Sequence, residues 1–214
     1  MGVIVQSLAA KHRAQVDAGR NIPATATHKP ASTTQRFMLA ALQADYARLK
    51  NVRSKQRKAE IKRELLPRYA DHLSVILNQS GSGHDESVVV LCVWAFDAGE
   101  WHTAVMLAEF ALQHGMSAPE GFKRSLPETL LEEAALQATR QGNPSELRDY
   151  LQHLQALTSG ADIADEVTAK FHKALGQTLE STDKPAALHA YRTAQQYGAH
   201  VQRNINRIER ELQP

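Results

Sequence analysis

The chain has 214 residues, 43% of them hydrophobic, with 25 Lys/Arg against 23 Asp/Glu and a single cysteine, Cys92. That length carries one large helical domain, or a small module plus a larger one. One thiol excludes an internal disulfide and suits a reducing compartment, and no apolar run reaches the roughly 18–20 residues that span a bilayer, so no membrane role is expected.

The formal net charge of +2 hides a strong asymmetry. Residues 47–68, ARLKNVRSKQRKAEIKRELLPR, hold nine Lys/Arg and two acids. Residues 1–46 add five bases and two acids, whereas residues 69–214 hold eleven bases and nineteen acids. A basic front on an acidic body points to a polyanionic partner, with nucleic acid foremost.

In chain order, residues 1–31 are small and polar, contain Pro23 and Pro30, and read as a flexible N-terminal arm. The N-terminus lacks the leading charge and full apolar core of a signal peptide. A helix is expected from Ser32–Thr34, with Met38, Leu42, Tyr46, Leu49 and Val52 three or four apart on one face. The apolar stripe then stops and the helix is polar all round from Arg53 to Glu60. Ile61, Leu65 and Leu66 restart the stripe, and Pro67 ends or kinks the helix. Residues 32–68 thus form a basic helical segment, and its bases are spread around the whole circumference. As one helix, residues 47–68 extend about 33 Å.

Tyr69, Leu73, Ile76 and Leu77 mark a short helix, ended by a loop from Gln79 to His84. Asp85 caps a nearly all-apolar buried helix over Val88–Phe96. The turn Asp97-Ala-Gly-Glu100 leads to a second helix with Trp101, Ala104, Val105, Ala108, Ala111 and Leu112. The small alanines let these two helices pack closely as an αα-hairpin. Ser125-Leu-Pro-Glu128 is a capping box opening a helix that ends by Gly142. Further helices start at Asn143-Pro144, at Asp162 or Asp165, and at Asp183 with Pro185, and a last one covers Val201–Leu212. No segment alternates as a strand does. The expected fold is all-α: a long basic N-terminal helix followed by a body, residues 69–214, of antiparallel helix pairs. The last pair, with Leu175, Gly176, Leu179, Ala187, Tyr191 and Ala194, is loosely like a tetratricopeptide repeat.

Candidate chemistry is sparse. There is no Gly-rich loop ending in Gly-Lys-Ser/Thr, and the ten histidines show no HExxH and no Cys cluster. His84-Asp85-Glu86 is better explained as a helix start than as a metal site. A metal-dependent nuclease needs converging carboxylates; the nearest groups are Glu60, Asp85 and Glu86. Asp71-His72 reads as a helix-start acid beside an imidazole. Trp94 and Trp101 flank the hairpin turn as core or subunit-contact residues. No catalytic residue, metal ligand or cofactor is assigned. The basic stretch is the strongest signal, and Arg48, Lys50, Arg53, Lys55, Arg57, Lys58, Lys62 and Arg63 are the candidate DNA-binding residues. Charge on all sides disfavours a groove-reading helix and suits phosphate contacts with little sequence preference.

Five short motifs occur in order over residues 35–213: Arg63-Glu-Leu-Leu-Pro67; Trp94 with Asp97-Ala-Gly99; Ala108-x-x-Ala111-Leu112-x-x-Gly115; Asp165-Glu-Val167 with Ala169-Lys170-x-His172-Lys173; and Glu209-Arg-Glu-Leu212. In these the chain resembles the small terminase subunit of P2-like tailed bacteriophages, a family often labelled as the terminase endonuclease subunit. The resemblance implies double-stranded viral DNA as partner and a homo-oligomeric ring. It also implies a large terminase subunit that carries the ATPase and, in many systems, the nuclease, all acting in the cytoplasm of the bacterial host. Two alternatives stand beside a DNA-presenting subunit: a metal-dependent endonuclease that cuts the packaging site itself, and a pure protein-interaction scaffold.

Overall fold

The computed structural model describes residues 33–78, 85–118 and 122–213, and every regular element among them is helical. The N-terminal arm and the Gln79–His84 loop read from the sequence lie outside the described residues.

The basic stretch is not one rod. Helix α1 spans Thr33–Lys50 and helix α2 spans Lys55–Leu65, with residues 51–54 non-helical between them. Ser54 is extended, and its side chain accepts a hydrogen bond from the amide of Arg57 at 3.2 Å, which caps α2 afresh. Ser54 sits in a polar run, where the apolar period carries no signal of the break. Pro67 opens a short 3-10 turn over Leu66–Tyr69, which leads into α3, Ala70–Asn78.

The body follows the sequence reading closely. Helix α4, Glu86–Ala98, is capped by Asp85, whose side chain accepts from the amide of Ser87. It ends at Gly99, whose left-handed φ of 77° lets the chain reverse into α5, Trp101–Gln113. Ala95, Ala104 and Ala108 are fully buried, and Cys92 Sγ lies 3.2 Å from the Ala104 carbonyl, so the alanines do bring these helices close. Helix α6, Leu126–Arg140, carries the expected capping box, with Ser125 N donating to Glu128 Oε2 at 3.0 Å. A 3-10 turn, Ser145–Leu147, precedes α7, Arg148–Leu157. Helix α8 spans Asp165–Leu179 and α9 spans Lys184–Gln196, which Asp183 caps. Helix α10, Gln202–Leu212, closes the chain.

One large core joins α1 through α9, built on Val88, Leu91, Trp94, Phe96, Leu107, Phe110, Leu130, Leu151, Leu154 and Phe171. A second, smaller cluster of Tyr191, Ala194, Val201, Ile205 and Ile208 attaches α10 to α9. Packing passes in series from α2 to α4, then α6, α8, α9 and α10. The basic front and the C-terminal helix are therefore at opposite ends of this series.

Candidate nucleic-acid interface

The front docks on the body through its apolar residues. Leu42 and Leu49 of α1 and Ile61 and Leu65 of α2 are buried. Asp45, almost fully buried, accepts from the Tyr69 hydroxyl at 2.7 Å and pairs with Arg68 at 3.2 Å. Burial, then the Asp45 bond and charge, push the Tyr69 hydroxyl far above its ordinary range, so it stays a donor.

The rear of α2 clamps the end of α4. Lys62 donates to Asp97 and lies 5.8 Å over the Trp94 ring. Arg63 donates to the Ala98 carbonyl, one of the unpaired carbonyls at the helix end, and sits 3.4 Å from Glu100. Arg140 of α6 reaches Asp97 at 3.1 Å, which ties a third helix into the same cluster. Two of the eight candidate bases, Lys62 and Arg63, thus have partners at the end of α4, Lys62 largely buried and Arg63 still 57% exposed.

The other six are placed differently. Arg48, Lys50, Arg53 and Lys55 are exposed. Arg57 is exposed too, but bonds Glu60 at 3.0 Å and lies 3.9 Å from Glu64. The Glu60 bond, then the Glu64 charge, hold its guanidinium pKa above its ordinary value. Lys58 is half-buried and faces a notch between α1 and α2. Among the described residues no acid is paired with Arg48, Lys50, Arg53, Lys55 or Lys58. One aromatic that the sequence reading assigned to the apolar stripe belongs to this surface instead. Tyr46 is 46% exposed, and Lys50 Nζ stands 5.1 Å from its ring centroid. Its interleaving with Arg48 and Lys50 was the available signal.

The carboxylates named for a nuclease do not meet. Lys62 contacts the C-terminal end of α4, whereas Asp85 and Glu86 stand at its N-terminal end. Glu60, on α2 just before Lys62, is separated from them by the length of α4, about 20 Å. Asp85 is further occupied by its cap and by His72, 3.6 Å away. His84 lies outside the described residues. Among the described residues no three His, Cys, Asp or Glu side chains form a group able to hold a metal. Trp94 and Trp101 are both buried. Trp101 stacks on Tyr150 at 6.1 Å and donates to Gln141 Oε1 at 3.0 Å, so it is a core residue.

A family model described as phage small terminase subunit matches residues 39–166, which include α2 and most of α1. The chain belongs to the phage small terminase subunit family. It is also 34% identical over 213 residues to the "Terminase, endonuclease subunit" of Escherichia phage P2, a match covering 97% of this chain and 86% of that protein. No solved structure matches it. As a small terminase subunit it serves phage DNA packaging, in which the family's partners are viral DNA and the large terminase subunit to which the DNA is presented. Among the described residues of this small terminase subunit, no helix is long and apolar enough to cross a membrane.

Proposed function

We propose that this small terminase subunit grips the DNA backbone with the outer surface of α1, the 51–54 turn and the first turn of α2, and does no chemistry of its own. The observation that carries this reading is a set of exposed bases close together in the sequence, Arg48, Lys50, Arg53 and Lys55, with no paired acid among the described residues, on a chain whose body, residues 69–214, is acidic. Residues 1–31 serve as an arm, 32–68 as the DNA-binding segment, and 69–214 as the body for self-association and large-subunit contact. Several copies arranged as a ring multiply the basic surface around a DNA path, in the cytoplasm of the bacterial host. Replacing Arg53, Lys55, Arg57 and Lys58 with Gln should weaken duplex binding and flatten its dependence on salt, measured by fluorescence anisotropy. Unchanged affinity and slope would sink the assignment.

The name of the phage P2 relative, an endonuclease subunit, motivates a second reading in which this chain cuts DNA. Incubation with plasmid and Mg²⁺ or Mn²⁺, without the large subunit, separates the two. The separation of Glu60 from Asp85 and Glu86 leads us to expect intact plasmid. Cleavage lost on substituting those acids would reverse that reading.

A further inference from the structure

The outward bases are not equivalent, because two of them share a cavity. Between α1, α2 and α4 lies an open notch of about 160 Å³ lined by Tyr46, Leu49, Lys50, Lys58, Lys62 and Trp94. Leu49 and Trp94 are buried and give it an apolar floor. The Lys62 ammonium at its back is paired with Asp97, which Arg140 shares. Lys50 comes from the last turn of α1 and Lys58 from the first turn of α2, so the break at residues 51–54 is what brings both to one notch. Among the described residues no carboxylate lines it.

We propose that this notch seats a single phosphate group, held between Lys50 and Lys58, with Tyr46 as the positioning residue that keeps Lys50 at the rim. Sites for drug-sized molecules measure about 300–1,000 Å³, so this notch suits a phosphate rather than a whole nucleotide. Its apolar floor lowers the local dielectric below that of water, so two ammonium groups hold an anion there more strongly than two freely hydrated ones on the helix surface. The bearer of the phosphate is the DNA backbone, an identification that rests on the function proposed above; a free phosphate shares the chemistry.

The test uses the full chain and two charge-matched double variants, Lys50→Gln with Lys58→Gln and Arg53→Gln with Lys55→Gln. Each removes two positive charges. The notch pair should weaken binding of a short duplex about tenfold and lower the salt slope by about 0.9, the loss of one phosphate contact. The surface pair should weaken it only about threefold, because hydrated charges contribute through a screened field. Tyr46→Ala should weaken binding and Tyr46→Phe should restore it. Equal losses from the two pairs would overturn the seat while leaving DNA binding in place. In a second arm, inorganic phosphate at constant ionic strength should raise the melting temperature of the wild-type chain but not of the notch variant. If the wild-type chain bound no duplex at low salt yet showed that phosphate effect, the DNA reading would fall and the seat would stand for free phosphate. Absence of both effects would remove both proposals.

Discussion

Glu133 of α6 is half-buried within the field of the Lys62–Asp97–Arg140 cluster. Burial first, and the neighbouring Asp97 charge second, push its carboxyl above the ordinary range, against the opposing pull of Lys62 and Arg140. A carboxyl raised on folding favours the folded state while protonated. That contribution is fully present below the unfolded value near pH ~4.3 and is lost as the pH rises through the folded value. Glu133→Gln should therefore raise the melting temperature at pH 7, and the gain should close as the pH falls to about 4. A variant less stable than wild type at pH 7 would show instead that the charged form is needed to balance Lys62 and Arg140. Cys92 is a second group that burial holds in its neutral form. It is fully buried, and desolvation followed by the Glu133 charge drives its thiol far up, so the native chain should resist thiol reagents until it unfolds.

At the scale of elements, α8 and α9 show why a glycine stands in mid-helix. A Cβ built at Gly176 would come within 2.9 Å of the Tyr191 ring, and Tyr191 is itself fully buried. Its hydroxyl is fixed as a donor to Glu180, which also receives Arg207 at 2.6 Å and Asn204 at 3.4 Å. The ring has no free direction in which to withdraw. Gly176→Ala should cost about 1–3 kcal/mol in chemical denaturation by overpacking, although alanine is the better helix former. The docking of α2 makes a second prediction. Lys62 is only 13% exposed and supports Asp97, so Lys62→Gln should lower stability by about 1–3 kcal/mol. Its effect on DNA affinity should be no greater than that of one removed surface charge. A normal denaturation midpoint with a collapse in DNA binding would place Lys62 on the interface instead.

For the whole molecule, the serial packing from α2 to α10 separates the basic front from the far end of an acidic body. Arg124 links the start of α6 to the start of α8, pairing with Glu132 at 2.7 Å and Glu128 at 3.8 Å and also with Glu166. The mass of the intact assembly in solution should be a fixed multiple of the 23.7 kDa chain, measured by native mass spectrometry or light scattering. A monomer at micromolar concentration would remove the ring from the proposal.

Much of this was legible in the residues alone. The all-α fold, the Asp85, Ser125 and Asp183 helix starts and the Asp85–Gly115 hairpin follow from local chemistry, because caps, glycines and apolar periods act within a few residues of one another. The charge asymmetry is likewise a property of the chain as written. The division of the basic residues was not legible. Lys62 and Lys58 stand one turn apart on the same helix with the same side chain, yet Lys62 is turned to Asp97, 35 positions along the chain, while Lys58 opens on the notch. Nothing local distinguishes them. The sequence by itself determined that the front is basic and helical. Only the tertiary structure decided which of its charges pair against α4 and which, among the described residues, meet no acid, because ion pairing depends on distances of a few ångströms between residues that folding alone brings together.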